Sequence, residues 1–205
     1  MRDPNLSQHF LRSPRLALFL IGHSDIKKKD LVLDIGAGSG VITFALSKRC
    51  KKVIAIEPDH ITAEKLRKNI EKYKLENVLV VEKDFFDYEL PTEKYKVFSN
   101  PPFHLSSKII HKLVEAKNPP ESFFLILQKQ FALKLIPTDR HYTSQLGKEL
   151  MEKYATKIKY PLRNTDFTPP PAVPTVLFQA KKITNLLLDT QEYDPSSKCC
   201  KIDQK

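Results

Sequence analysis

The 205-residue sequence predicts an α/β fold, a doubly wound parallel sheet, and three observations carry that prediction. The first is alternation: as far as residue 128, short apolar runs rich in β-branched residues alternate with segments of helical periodicity. The second is the stretch Leu31-Val32-Leu33-Asp34-Ile35-Gly36-Ala37-Gly38-Ser39-Gly40, an apolar run that stops in three alternate glycines and resumes as an amphipathic segment. It reads as strand, tight turn, helix. Such glycines let the backbone pass close to a ligand, and the following helix points free N–H groups at it, although a turn of this kind also serves plain chain reversal. The third is position. Polar residues close the next apolar runs, Glu57, Asp84 and Asn100 among them, at the strand ends where open α/β sheets bind their ligands.

The length supports one main domain, expected over residues 1–182 with an N-terminal arm and helix in 1–26 and a short polar, flexible tail over 183–205. The run Leu16 to Ile21 is too short to span a bilayer. Although it follows Arg12 and Arg15 as a signal peptide would, it lacks a small-residue cleavage pattern and ends in Gly22-His23-Ser24-Asp25. Cys50 and the adjacent Cys199 and Cys200 form neither a disulfide framework nor a spaced ligand set, so no metal is expected and a reducing cytoplasm fits. Thirty-four Lys and Arg against 24 acids leave a net charge of +10, which attracts polyanions without choosing among them.

Taken in order, Ser13-Pro14 reads as N-cap and first position of a helix through Ile21, and the polar arm before it is placed to cover the ligand site from outside. After the strand and glycine turn, Val41 to Lys48 is helical and Lys51 to Asp59 reads as a second buried strand whose end carries Glu57, 17 residues beyond Gly40. An acid there accepts hydrogen bonds from ribose hydroxyls. A helix over Ile61 to Tyr73 leads to a strand over Asn77 to Glu82. Asp84, beside Phe85 and Phe86, suits the exocyclic amine of an adenine, with Phe85 against its ring. Strand Tyr95 to Ser99 ends in Asn100-Pro101-Pro102-Phe103: prolines stiffen the backbone and remove two donors, the amide and carbonyls present fixed partners, and Phe103 offers a flat face. That set suits an amine on a planar ring better than a phosphate. Helix Ser106 to Ala116, strand Phe123 to Leu127, a helix from Lys129 broken at Pro137, helix Ser144 to Ala155, strand Thr156 to Leu162 and strand Val176 to Ala180 complete the core.

These motifs resemble the Erm/KsgA family of S-adenosylmethionine-dependent ribosomal RNA adenine N6-methyltransferases. The resemblance runs from Gln8 to Lys181 and rests on Gln8-His9-Phe10-Leu11, Asp34-Ile35-Gly36-Ala37-Gly38, Glu57, Asp84, Asn100-Pro101-Pro102-Phe103 and Phe167-x-Pro-x-Pro-x-Val173. It implies a Rossmann-like class I methyltransferase fold, a mostly parallel seven-stranded sheet with helices on both faces. It also implies a cofactor site of Gln8, His9, Leu11, Gly36, Gly38, Glu57, Asp84 and Asn100, with Glu57 on the ribose and Asp84 on the adenine. Two positions depart from the family pattern: His9 stands for the usual Asn, and Pro101 for the usual Leu or Ile. The Asn-Pro-Pro-Phe form is shared with enzymes that methylate amino groups of DNA bases or of protein glutamine. Family members commonly carry a C-terminal helical domain, where this chain has about two dozen residues.

On this resemblance Asn100 and the Pro101 carbonyl hold the adenine amine, while Phe103 stacks on the extruded base and Phe167 supports it. Lys108, Lys112, Lys129, Lys134 and Arg140 are the candidate phosphate contacts. The expected partner is ribosomal RNA, free or in a pre-ribosomal particle, acted on by a monomer. The stretch from Thr143-Ser144-Gln145-Leu146 to Tyr160-Pro161 favours the Erm branch, which modifies 23S rRNA and confers macrolide-lincosamide-streptogramin resistance, over the 16S dimethylation of the KsgA branch. Remaining alternatives are a non-catalytic nucleic-acid-binding protein on the same scaffold, opposed by the intact Glu57, Asp84 and Asn100 motifs, and a DNA or protein-glutamine N-methyltransferase.

Overall fold

The computed structural model describes residues 9–137 and 143–183. The expectations for Gln8, Arg140 and the tail beyond Ile183 lie outside these residues. In chain order the elements are β1 (Phe10–Leu11), α1 (Pro14–Gly22), β2 (Leu31–Ile35), α2 (Val41–Ser47), β3 (Lys52–Ile56), α3 (His60–Lys72), β4 (Val78–Val81) and β5 (Lys96–Ser99). They continue with α4 (Ser106–Glu115), β6 (Ser122–Gln128), α5 (Lys129–Leu133), α6 (Gln145–Lys153), β7 (Tyr154–Leu162), β8 (Phe167–Thr168) and β9 (Thr175–Lys182).

Seven strands form one sheet in the order β4-β3-β2-β5-β6-β9-β7. The first five are parallel, and β9 enters antiparallel to both β6 and β7, so the sheet is mostly parallel as expected. The chain winds outward from β2 through β3 to β4, then returns to place β5 on the other side of β2. This reversal opens a crevice beyond the carboxyl ends of β2 and β5, where the glycine turn and Asn100 emerge.

Strand side chains divide by alternation. Leu31, Leu33, Ile35, Val97, Phe123, Leu125 and Leu127 pack with Ile109, Ile110 and Leu113 of α4 and Leu146 and Leu150 of α6. Val32, Phe98, Phe124 and Ile126 face the other way, against Ala17, Leu20 and Ile21 of α1 and Ile42 and Leu46 of α2. Helix starts follow local chemistry: Ser13 Oγ accepts from the Leu16 N–H at 3.2 Å, and Asp59 Oδ1 accepts from the Thr62 N–H at 2.8 Å. At the end of the sheet away from the crevice, the buried Lys96 ammonium lies 2.9 Å from Asp30 Oδ2 and 3.3 Å from Asp25 Oδ1.

Two features depart from the expected elements. The helix expected to reach Ala155 stops at Lys153, and β7 starts at Tyr154, whose ring is buried against Phe123 at 5.2 Å. A register irregularity between Ile158 and Tyr160 marks a bulge at Lys159, so Ile158 packs toward α4 and α6 while Tyr160 packs toward α1. The arm before α1 is also anchored: β1 pairs antiparallel with β8, and the Arg12 N–H donates to Asp166 O at 2.9 Å.

Candidate active site

A cavity of about 800 Å³ opens in the crevice, walled by the glycine turn, the ends of β3 and β5, the Asp84–Phe86 loop, β1 and Pro169. Gly36, Gly38 and Gly40 adopt φ of 71°, 58° and 97°, the left-handed region in which a side chain is strained. The Gly36 and Ala37 N–H groups donate to Ile56 O at 2.9 and 3.1 Å, stitching the turn to the end of β3. Next along the chain, the Gly38 N–H donates to Glu57 Oε2 at 2.9 Å and the Asp59 N–H to Oε1 at 3.2 Å. Burial pushes the Glu57 carboxyl above its ordinary range, and these two donors oppose that rise. Of the turn and strand-end residues expected at the cofactor, Gly36 and Glu57 line the cavity and Gly38 does not. Its part is to orient Glu57, because its own N–H is turned to that carboxylate.

Asp34 was quoted in the motif but not expected as a site residue, and it is the most consequential omission. Fully buried on β2, it lines the cavity, accepts from Thr43 Oγ1 at 2.7 Å through Oδ2, and leaves Oδ1 without a partner. Burial, aided by the nearby Glu57 charge and opposed by the Thr43 hydrogen bond, pushes its carboxyl up to about 7. The available sign in the sequence was a carboxylate inside an otherwise apolar strand.

Asn100 closes β5. Its Nδ2 donates to His9 O at 2.6 Å, which leaves Oδ1 as the free atom of the amide, buried and unpartnered. The imidazole of His9 bonds through Nδ1 to Pro169 O at 2.8 Å; a carbonyl only accepts, so Nδ1 carries the proton. Thus the arm contributes a backbone carbonyl where the resemblance placed a side chain. His9 and Leu11 line the cavity, together with Phe10.

The rest of the Asn-Pro-Pro-Phe motif is distributed differently from the expectation. Pro102 lines the cavity, whereas Pro101 is buried beneath it and is not part of the wall. Phe103, expected to stack on the base, is also absent from the cavity wall: its half-buried ring lies 5.3 Å from the ring of the wall residue His9, with the planes 30° apart. Phe167, expected to support the base, is 1% exposed and packs in the core with Leu11, Leu20 and Phe98. Its backbone pairs with Leu11 in β8, so it holds the arm and does not face the cavity.

Asp84 lines the cavity and uses Oδ1 to accept from the Phe86 N–H at 2.8 Å. Phe85 is buried and Phe86 more exposed, and both reach the cavity wall. Lys112 was expected on phosphate. Instead its ammonium donates to the carbonyls of Phe85, Phe86 and Tyr88 at 2.7, 2.8 and 2.7 Å and sits 5.0 Å from the Phe85 ring centre. All three donors of the ammonium are thereby occupied, and desolvation lowers its pKa. Lys112→Met is expected to raise KM for the small-molecule ligand of this loop about tenfold and to lower Tm, leaving kcat at saturation within about twofold, because hydrogen bonds from a charged donor contribute about 1.5–3 kcal/mol. Steady-state kinetics with a thermal melt check this. Lys108 on α4, Lys129 at the start of α5 and Lys134 just after it are exposed, in keeping with phosphate contacts but without a site built around them.

Comparison with known proteins adds ancestry to this geometry. The family model described as ribosomal RNA adenine dimethylase matches residues 2–199. Over 188 residues the chain is 32% identical to the probable ribosomal RNA small subunit methyltransferase A of Methanosphaera stadtmanae, which covers 91% of this chain and 68% of that protein. It is 31% identical over 196 residues to the dimethyladenosine transferase of Candida glabrata, covering 94% of this chain and 61% of that one. The chain therefore spans 61–68% of the length of these two relatives. Among solved structures, the 23S rRNA methyltransferase ErmE superposes with a TM-score of 0.77 at 24% identity, over 85% of this chain and 70% of that one, a likeness of fold.

Proposed function

Since the chain belongs to the ribosomal RNA adenine dimethylase family, we propose that it methylates N6 of an adenine in small-subunit ribosomal RNA, with S-adenosylmethionine as the donor. The observation that carries this reading is Asn100 Oδ1, a buried acceptor left without a partner because the other end of its amide is tied to His9 O. The expectation of a 23S target with antibiotic resistance gives way to the small-subunit alternative. What supports the change is that the two sequence relatives described above bear small-subunit and dimethyladenosine names, while the likeness to ErmE is one of fold.

The residues present fit the donor. Asp34, Glu57 and Asp84 bring carboxylates to one cavity, which suits a ligand with cationic groups, and Asp34 Oδ1 is an acceptor awaiting a donor. Glu57, oriented by two backbone N–H groups, suits a pair of ribose hydroxyls, and the apolar wall at Phe85 and Phe86 suits an adenine. When bound, S-adenosylmethionine supplies a methyl group on a positively charged sulfur.

The nucleophile sets the demand on the protein. An adenine N6 lone pair is delocalised into the ring, and a hydrogen bond from N6–H to Asn100 Oδ1 favours the state in which that pair is localised. Asn100 remains neutral, so the site acts by alignment and polarisation rather than by a strong base. His9 in the cavity wall is backed by the Phe103 ring 5.3 Å away, and stacking of a base on such planar surface contributes about 1–3 kcal/mol, enough to offset much of the cost of extruding one.

The Asp34 carboxyl gives this site a pH signature. Below about 7 it is neutral, and above it is charged and attracts a cation. Affinity for S-adenosylmethionine is therefore expected to rise with pH through about 7, with proton release on binding below that point, and Asp34→Asn to flatten the rise at its weak end. Isothermal titration calorimetry in buffers of different ionisation enthalpy reads both effects. The function itself is tested with labelled donor and 16S or 23S rRNA, naked and in subunits, followed by mapping of the modified base and a count of methyl groups. Modification of an adenine in 16S rRNA supports the proposal. Transfer confined to 23S rRNA, to DNA or to protein overturns it.

A further inference from the structure

We propose that the outer face of α1 and β7 is a docking surface for single-stranded RNA flanking the target adenine, an inference that rests on the ribosomal RNA reading above. Three aromatic rings meet there on the protein surface. The Phe19 ring lies 4.3 Å from His23 and 5.1 Å from Tyr160, and Phe19 remains 43% exposed. Single exposed apolar residues are ordinary, whereas clustered rings interleaved with cations form a stacking platform. Arg15 stands one helical turn before Phe19 on the solvent side of α1, and Lys157 faces the same side of β7 as Tyr160 because of the bulge at Lys159.

Charge selects the occupant. Residues 9–24 and 154–165 contain Arg12, Arg15, Lys157, Lys159 and Arg163 and no Asp or Glu. Two of the acids at the margins are engaged: Asp166 Oδ2 accepts from the Arg163 N–H at 2.9 Å, and Asp25 accepts from Ser122 Oγ at 2.7 Å and lies 3.3 Å from Lys96. A surface with cations, flat rings and no competing carboxylate suits a polyanion with bases to stack. It is also joined to the cavity. Arg12 directly follows β1, which lines the cavity, and Arg163 precedes β8, which holds β1 in place. An RNA chain lying on this face thus leads toward the cavity wall formed by β1 and Asn100.

The test uses Phe19→Ala and the double variant Arg15→Gln with Lys157→Gln, all at exposed positions outside the cavity. Anisotropy titrations with a labelled single-stranded rRNA fragment should show Kd raised about tenfold by the double variant, with the slope of log Kd against log salt flattened by about 1.4 for two lost phosphate contacts. Phe19→Ala should raise Kd about fivefold with an unchanged salt slope, and Phe19→Tyr should restore it. Donor Kd and kcat at saturating RNA should not move. Unchanged RNA affinity in every variant, with wild-type methyl transfer intact, overturns the docking surface alone and leaves the face to a protein partner. A wild type that neither binds nor methylates RNA overturns the ribosomal RNA reading and this surface with it.

Discussion

Asn100→Ala is expected to lower kcat for methyl transfer by about 10²–10³-fold while donor Kd changes less than tenfold. The size follows from what Oδ1 is asked to do: it is a preoriented acceptor, buried at the end of β5, whose hydrogen bond strengthens as the amine develops positive charge. Alanine removes the acceptor and also the 2.6 Å bond from Nδ2 to His9 O, so some loosening of the arm is built into the result. Asn100→Asp separates the two roles, since it keeps an acceptor and loses the donor to His9. Single-turnover methyl transfer reads the chemical step, and donor titration reads the arm. Activity within threefold of wild type in Asn100→Ala would remove Asn100 from the base site.

The second large effect is expected on binding. Glu57→Ala should raise donor Kd about 100-fold and leave kcat at saturating donor nearly unchanged. Each hydrogen bond between a ribose hydroxyl and the carboxylate contributes about 1.5–3 kcal/mol, and two at the lower end give about 3 kcal/mol, or two decades. The carboxylate is already oriented by the Gly38 and Asp59 N–H groups, so little entropy is lost when it binds. Because the ribose is common to donor and product, S-adenosylhomocysteine should lose affinity by the same factor. Calorimetry with both ligands checks this, and a change confined to the donor, or a Kd within threefold for both, would take the ribose away from Glu57.

Most of the sheet and several polar residues of the cavity wall were legible from residues alone, for a local reason. Short, continuous apolar runs identify the strands, caps such as Ser13 and Asp59 mark helix starts, and the glycine turn places the crevice at the end of β2. Glu57, Asp84 and Asn100 were readable because a polar residue closing a buried parallel strand must emerge on the ligand side of the sheet. The pairing of β1 with β8 was not, since two-residue strands carry no periodicity and their partners lie far apart in the chain. Lys112 fails for a related reason: nothing in a lysine on an amphipathic helix distinguishes a free ammonium from one that will meet three carbonyls of a distant loop.

The sequence by itself determined the doubly wound sheet, the glycine turn beside Glu57, and the presence of an amide and an aromatic ring at the end of β5. These are encoded in neighbours along the chain, where spacing and side-chain chemistry act directly. Tertiary structure alone decided which groups those residues meet. It turned Phe167 into the core to hold the arm, set His9 O against Asn100 so that Oδ1 was left as the free acceptor, buried Asp34 until its carboxyl titrates near 7, and through one bulge in β7 brought Tyr160 to Phe19. Each outcome depends on contacts between segments far apart in sequence, and burial or a lost partner comes into being only when those segments pack.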